Sequence, residues 1–431
     1  MEKSKNVIVS KEVLVPFILI TSLFALWGFA NDITNPMVAA FKTVMEMSNA
    51  KAALIQFAFY GGYATMAIPA ALFVKKYSYK KGILLGLTLY AVGALLFYPA
   101  ARFEMFGFFL VSLYILTFGL AFLETTANPY ILSMGDEETA TRRLNLAQAF
   151  NPIGSLFGMF VASKFILTSL ESDVRDEAGN LVFSTLSVAE KAAIRTHDLA
   201  VIRDPYVILG FVVILMFVII AFAKMPVRKN ADHTIRAIDS FKRLIKNVKY
   251  REGVIAQVFY VAAQIMTWTF IIQYADNLGI SKATAQNYNI IAMSIFLTSR
   301  FISTFLMKYV NSKMLLTIFA VGGMLTMTGT ILIQGMGGLY CLIATSAFMS
   351  LMFPTIYGIA LEGLKDDTTL GAAGLVMAIV GGALMPPIQG SIIDLGTVAG
   401  LPAVNFSFIL PFISFVVIAI FGYRTLKYAH S

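Results

Sequence analysis

Uncharged, mostly apolar stretches of about 20 residues recur along the whole chain, and few folds can use them. They occupy 13–31, 52–74, 82–101, 105–123, 144–163, 205–223, 253–275, 283–299 and 368–393. Two longer runs hold three more. The turn-forming stretch Gln334-Gly335-Met336-Gly337-Gly338 divides 314–361, and 395–423 reads as one helix preceded by a loop ending near Pro402. A helix needs about 20 such residues to cross a bilayer, so the pattern predicts twelve spans, the first and fourth continuing past Asp32 and Glu124 to about 41 and 133. A soluble fold is excluded by composition: 13% of residues are charged and 58% hydrophobic, whereas a soluble domain carries roughly 25% charged residues. The expected fold class is an all-α membrane protein. The opening residues, MEKSKNVIVSKEVL, lack a short apolar stretch followed by a small-residue cleavage site, so the first apolar run reads as a retained span.

Orientation follows from the basic residues, because Lys and Arg near span ends stay in the cytoplasm. Lys75, Lys76, Lys80 and Lys81 follow span two, and Arg142 and Arg143 precede span five. Residues 224–251 hold nine bases against Asp232 and Asp239. Both termini and this central connection are therefore expected inside, and the balance of +9 is assigned to cytoplasmic loops rather than to nucleic acid. Within the connection, Ile238, Phe241, Ile245 and Val248 recur at helical intervals among bases. The segment from about 236 to 250 is either an amphipathic helix on the inner leaflet or a solvated linker. Residues 164–205, with seven acids and five bases, are expected outside as a loop.

The basic connection divides the chain into a six-span half at 1–223, a linker at 224–252 and a second six-span half at 253–431. A repeat supports the division. Phe73, Lys76, Tyr77, Lys81 and Leu84 match Phe305, Lys308, Tyr309, Lys313 and Leu316 at a constant offset of 232 residues, which also carries span one onto span seven and span four onto span ten. Parallel six-helix halves related by an axis along the membrane normal describe the major facilitator architecture, in which substrate binds near mid-membrane between the halves.

A carboxylate at bilayer depth costs about 2.5–3.5 kcal/mol on insertion scales and marks a functional site by default. Asp32 in span one and Glu124 in span four qualify. Each lies about nine residues from one end of its span, on the order of 14 Å from that boundary. Such groups can take a proton on one side and release it on the other, and a carboxylate can accept two sugar hydroxyls at once. Amides accompany them: Asn31, Asn35, Gln56, Asn128, Asn145, Gln148 and Asn151 in the first half, and Gln257, Gln264, Gln273, Asn287 and Gln389 in the second. Any one of these can be interhelical glue, but Gln148 and Asn151, three residues apart, share a face of span five. Both tryptophans, Trp27 and Trp268, fall in the first span of a half. An indole can stack on a sugar's C–H face while its N–H bonds an edge. Arg300, six to eight residues from the inner end of span eight, is expected to snorkel, with gating or coupling as the alternative. Prolines such as Pro36, Pro129 and Pro152 interrupt spans where helices bend or line a cavity.

The residues resemble the fucose-galactose-glucose proton symporters of the major facilitator superfamily. The resemblance spans nearly the whole chain and rests on Leu26-Trp27-Gly28-Phe29-Ala30-Asn31, Leu54-Ile55-Gln56 with Phe59-Tyr60, and Tyr77-Ser78-Tyr79-Lys80. It continues through Leu123-Glu124 with Ala127-Asn128-Pro129, Arg143-Leu144-Asn145-Leu146-Ala147-Gln148 with Phe150-Asn151, and Ser346 to Ser350 with Pro354-Thr355-Ile356. It implies uptake of L-fucose or a related hexose with a proton by alternating access, with Glu124 as the span-four acid and Gln148 and Asn151 as the span-five pair. The expected proton-coupling residues are thus Glu124 and Asp32. The expected sugar contacts are Glu124, Asn31, Asn35, Gln56, Tyr60, Gln148, Asn151, Gln264 and Trp268. Span one departs from the family pattern: Asp32 precedes Asn35, where the family places Asn first and Asp three residues later. The carboxylate keeps nearly the same face but shifts by about 4.5 Å along the axis.

Other classes fit less well. Uncoupled facilitation or export would need no titrating acid in the cavity, and a D-glucose or D-galactose symporter of the same family is the nearest alternative. A membrane-embedded enzyme would place His, paired acids or metal ligands near one interface. The three His, at His197, His233 and His430, fall in loops or the tail, and Cys341 is the single cysteine. No cofactor beyond the coupling proton, no metal and no nucleic-acid partner is expected. The expected protein is a monomer in a bacterial inner membrane, with lipid, sugar and proton as its partners.

Overall fold

The computed structural model describes residues 9–135, 147, 150–226, 237–306, 309–364 and 367–427. Within them, eleven helical segments are long and apolar enough to cross a membrane: Leu14–Val44, Asn49–Val74, Tyr79–Arg102, Phe106–Asn128, Phe150–Ser169 and Val188–Phe222, then Val248–Asn277, Ser312–Leu332, Met336–Leu361, Ala373–Ile393 and Ala403–Leu426. A twelfth helix, Lys282–Leu306, has 25 residues and carries Lys282, Gln286, Asn287, Asn289 and Arg300. Numbered in chain order, with Lys282–Leu306 as span eight, these are the twelve spans expected from the sequence. The face bearing residues 77–78, 224–226, 309–311 and 362–364, with the described chain ends, is the terminal face. The opposite, distal face bears 45–48, 103–105, 170–187, 278–281, 333–335 and 394–402.

Three features correct or sharpen the sequence reading. Span six is a continuous helix from Val188, not a loop up to residue 205. A capping box starts it: the Ser187 side chain accepts from the Glu190 N–H while the Glu190 side chain accepts from the Ser187 N–H. The basic connection contains a helix over Ala237–Lys246. It is docked, since Leu244 is buried in a small core with Tyr250, Ala360, Leu364 and Leu375, and the Arg243 Nε donates to Asp367 at 2.8 Å. Phe241, Ile245 and Val248 remain exposed. Finally, the first spans of both halves are interrupted, at Asn35–Pro36 and at Phe270. Pro36 has no N–H to give the Asp32 carbonyl one turn earlier, so the break in span one falls immediately beyond the carboxylate.

Spans one and five approach too closely for side chains between them. A Cβ at Gly154 would run into the Ala25 carbonyl, and one at Gly28 into the Asn151 carbonyl. Small residues permit this approach in a membrane, where van der Waals packing replaces the hydrophobic effect as the force between helices.

Candidate functional site

Between the halves lies a cavity of about 260 Å³, near the lower end of the roughly 300–1,000 Å³ of small-molecule sites. Its first-half wall is polar and aromatic, with Trp27, Asn31, Asp32, Tyr60, Tyr63, Glu124, Asn151 and Ser155. Its second-half wall is mostly apolar, with Val261, Ile265, Trp268, Met293, Phe296 and Phe353, joined by Gln264 and Arg300.

The two carboxylates are held differently. Asp32, 1% exposed, accepts from Asn31 Nδ2 at 3.3 Å and from Asn35 Nδ2 at 3.1 Å. Asn31 in turn accepts from the Tyr60 hydroxyl at 2.7 Å. Among the described residues, by contrast, Glu124 Oε2 is buried and has no hydrogen-bond partner. A buried polar atom without a partner costs about 1–3 kcal/mol, and a site that tolerates one is built to receive a donor, whether proton or ligand.

Asn35 and Gln56, both expected to contact sugar, are not among the residues lining this cavity. They stand behind Asp32. Gln56, fully buried, donates through Nε2 to Asn35 Oδ1 at 3.1 Å and to Thr269 Oγ1 at 2.9 Å. One amide therefore joins the residue at the break in span one to the residue just before the break in span seven, and the chain Asp32–Asn35–Gln56–Thr269 crosses from one half to the other.

Asn151, Gln264, Trp268 and Tyr60 do line the cavity, but not always with the group expected. The Trp268 Nε1–H donates to Ser346 Oγ at 3.0 Å, so its donor is taken and its ring meets Phe296 edge to face at 5.0 Å. Asn151 Nδ2 points to the Phe24 carbonyl at 3.3 Å. Arg300 does not snorkel: it lines the cavity, with its guanidinium 4.7 Å from the Phe296 ring centre and its Nε donating to the Ser350 carbonyl at 3.1 Å. Phe296 thereby touches both an indole and a cation. Gln148 and Asn145 lie outside the described residues.

The family comparison agrees with this geometry. Residues 18–386 match the sequence family described as the Major Facilitator Superfamily. The chain belongs to the major facilitator superfamily. Within it, the chain is 69% identical over 421 residues to the L-fucose-proton symporter of Haemophilus influenzae, covering 97% of this chain and 98% of that one. It is 30% identical over 409 residues to a glucose/galactose transporter of Brucella abortus, covering 94% of this chain and 92% of that one. Among solved structures it is similar to the superfamily transporter FucP in the outward conformation, with a TM-score of 0.72 at 33% identity over 96% of this chain and 99% of that one. A D-xylose-proton symporter with 14% identity shares the fold, at a TM-score of 0.71 over 96% of this chain and 97% of that one.

Several lining residues of this superfamily member escaped the sequence reading: Tyr63, Ser155, Met293, Phe296 and Phe353. Tyr63 carried a usable signal, standing three residues after Tyr60 on the same helical face. The aromatic and Met positions carried none, since such residues face lipid and cavity alike. The amide Asn287 is exposed, while its neighbours Gln286 and Asn289 are buried.

Proposed function

We propose that the chain imports L-fucose together with a proton by alternating access. The observation that carries the reading is the pair of carboxylates on one wall of a cavity between the halves, Asp32 with its oxygens engaged by amides and Glu124 with an oxygen that has no partner among the described residues. The 69% identity to an L-fucose-proton symporter supports the choice of sugar. A proton taken by Glu124 supplies that oxygen with a hydrogen and removes a charge from the cavity, so the loaded carrier crosses between states without a bare carboxylate in low dielectric. The sugar's hydroxyls are taken by Glu124, Asn31, Asn151, Tyr60 and Gln264, with Gln148 added on the strength of the family resemblance. Its apolar face lies on Trp268. Asp32 serves as the second proton station, set by Asn31 and Asn35. Arg300 acts as a fixed positive end to the cavity, and Asn35 and Gln56 act as supports rather than as sugar ligands.

We infer a bacterial inner membrane as its location, with both termini cytoplasmic on the strength of the bases at the terminal face, and residues 224–252 as the linker between two halves of a monomer coupled to a proton alone. The distal face is then the outer one. Among the described residues, the hydrogen bonds joining the halves gather toward that face, so this structure is the form closed to the outside.

The test is reconstitution in liposomes, with L-fucose, D-galactose, D-glucose or D-arabinose added without a metabolic driver. Alkalinisation of the outside medium by L-fucose alone is the expected result. Sugar influx without a proton signal would leave a facilitator and remove the role given to Asp32 and Glu124. A signal with D-glucose or D-galactose instead would move the substrate within the family.

A further inference from the structure

Span eight carries a polar stripe that the cavity alone does not explain. At 3.6 residues per turn, Lys282, Gln286, Asn289, Met293, Phe296 and Arg300 fall within about 80° of one another around the helix axis. They run about 27 Å along it, from the distal face to the cavity. The lower three line the cavity. The uppermost, Lys282, is 1% exposed and reaches across to the other half, where its backbone N–H and its Nζ donate to Asp173 at 2.8 and 2.7 Å. Arg175, of Asp173's half, pairs with Asp276 of the half that holds Lys282. Beside this network, the Asp394 carboxylate accepts from the Asn49 and Ala50 backbone N–H groups at 2.9 and 3.0 Å and ties span eleven to span two.

Between the seal and the cavity stand Gln286 and Asn289, buried to 1% and 3% exposure. Asn289 Nδ2 donates to Gln286 Oε1 at 3.0 Å. The remaining atoms, Gln286 Nε2 and Asn289 Oδ1, are buried with no partner among the described residues. Span eight packs here against the distal part of span five from the other half. Unmet amide groups in a dry seam are costly, and a sequence specifying only this state would place apolar residues there. A second state that wets the seam accounts for them.

Building on the sugar-transport reading, we propose that Gln286 and Asn289 form a reception subsite for the incoming sugar. They line the distal passage when the halves part, and the Asp173–Lys282 pair latches that passage shut. Two amides offering both donors and acceptors match the vicinal hydroxyls of a hexose, so the sugar meets them before it reaches Glu124 and Asn151.

Two arms test this. In the full-length protein with Cys341→Ala, single cysteines replace Gln286, Asn289 or Ala292, the last rotated off the stripe, and a membrane-impermeant methanethiosulfonate is added from the distal side. With Asp173→Asn or, as an independent unlatching variant, Lys282→Gln, labelling at 286 and 289 should accelerate by about tenfold or more, with no change at 292. Equal labelling rates with and without the latch, or the same acceleration at 292, would overturn the passage. In the second arm, Gln286→Leu and Asn289→Leu should each raise the KM for distal uptake of L-fucose about three- to tenfold while leaving the maximal rate within twofold. An unchanged KM would overturn the subsite. If the unaltered protein moves no sugar, the transport reading falls by itself, and the labelling arm still decides whether the passage exists.

Discussion

The two walls of the cavity are made of different material. The first half supplies Asn31, Asp32, Tyr60, Glu124, Asn151 and Ser155, a surface of hydrogen-bonding groups that includes both acids. The second supplies Trp268, Phe296, Met293, Phe353, Val261 and Ile265, an apolar surface with Gln264 and Arg300 as its polar exceptions. Halves of common architecture have thus diverged in chemistry, one wall suited to proton handling and hydroxyl recognition, the other to shape. A wall proposed to handle protons needs fixed dipoles, which hydrogen bonds such as Asn35 to Asp32 supply. The wall that fits a sugar ring needs flat, polarisable surface.

The sharpest way to break this division is Glu124→Gln. Uphill accumulation should collapse from whatever ratio the proton gradient sustains to about one, while exchange of labelled for unlabelled sugar continues, because an amide cannot carry the proton yet still bonds hydroxyls. Retained accumulation would move coupling off the first wall. Trp268→Ala on the second wall should raise the KM about three- to tenfold, the loss of one aromatic contact, with the proton-to-sugar ratio unchanged in a dye assay. A changed ratio would show that the walls do not divide the work.

Gln56→Leu tests the bridge between the walls. It removes two donated hydrogen bonds and strands Asn35 Oδ1 and Thr269 Oγ1, a loss of about 1–3 kcal/mol. The expected outcome is a melting temperature lowered by a few degrees in detergent, with the KM within about twofold of the parent. A KM effect as large as that of Trp268→Ala would make Gln56 part of the sugar site after all.

The smallest effect is at the terminal face of the second half. Lys249 holds the Glu362 carboxyl below the ordinary range, and Arg243 does the same for Asp367. A depressed carboxyl contributes stability that is complete above its unfolded value, near about 4. It is lost as pH falls through the lower folded value. Glu362 is exposed, so its pair with Lys249 is worth roughly 0–1 kcal/mol. The melting-temperature difference between the parent and Glu362→Gln should therefore be small at pH 7 and vanish as pH falls below 4. A difference that persists at low pH would mean that packing, not charge, holds that corner.

Much of this was legible in the sequence because a bilayer simplifies the rules: a span must be apolar, so each exception is visible. Asp32, Glu124 and Trp268 stood out as exceptions and line the cavity. What sequence could not supply was rotational phase. One residue of helix is about 100° of rotation, which separates exposed Asn287 from buried Gln286. Arg300 was misplaced for a related reason. Six residues from a helix end is within reach of water for a long side chain, and only the Phe296 ring and the Ser350 carbonyl reveal that it turns inward.

The contact between spans one and five, closed by Gly28 and Gly154, has a consequence for how such a carrier can be retuned. With no space for a Cβ on either side, the two helices are packed backbone to backbone, and in the proposed cycle they would carry Asp32 and Asn151 together. On the proposed division of the site, changes of substrate range would come from the opposite wall, where Met293, Phe296 and Phe353 line the cavity apart from both carboxylates. An engineer seeking a new sugar would randomise those three positions and leave the glycine-locked pair untouched.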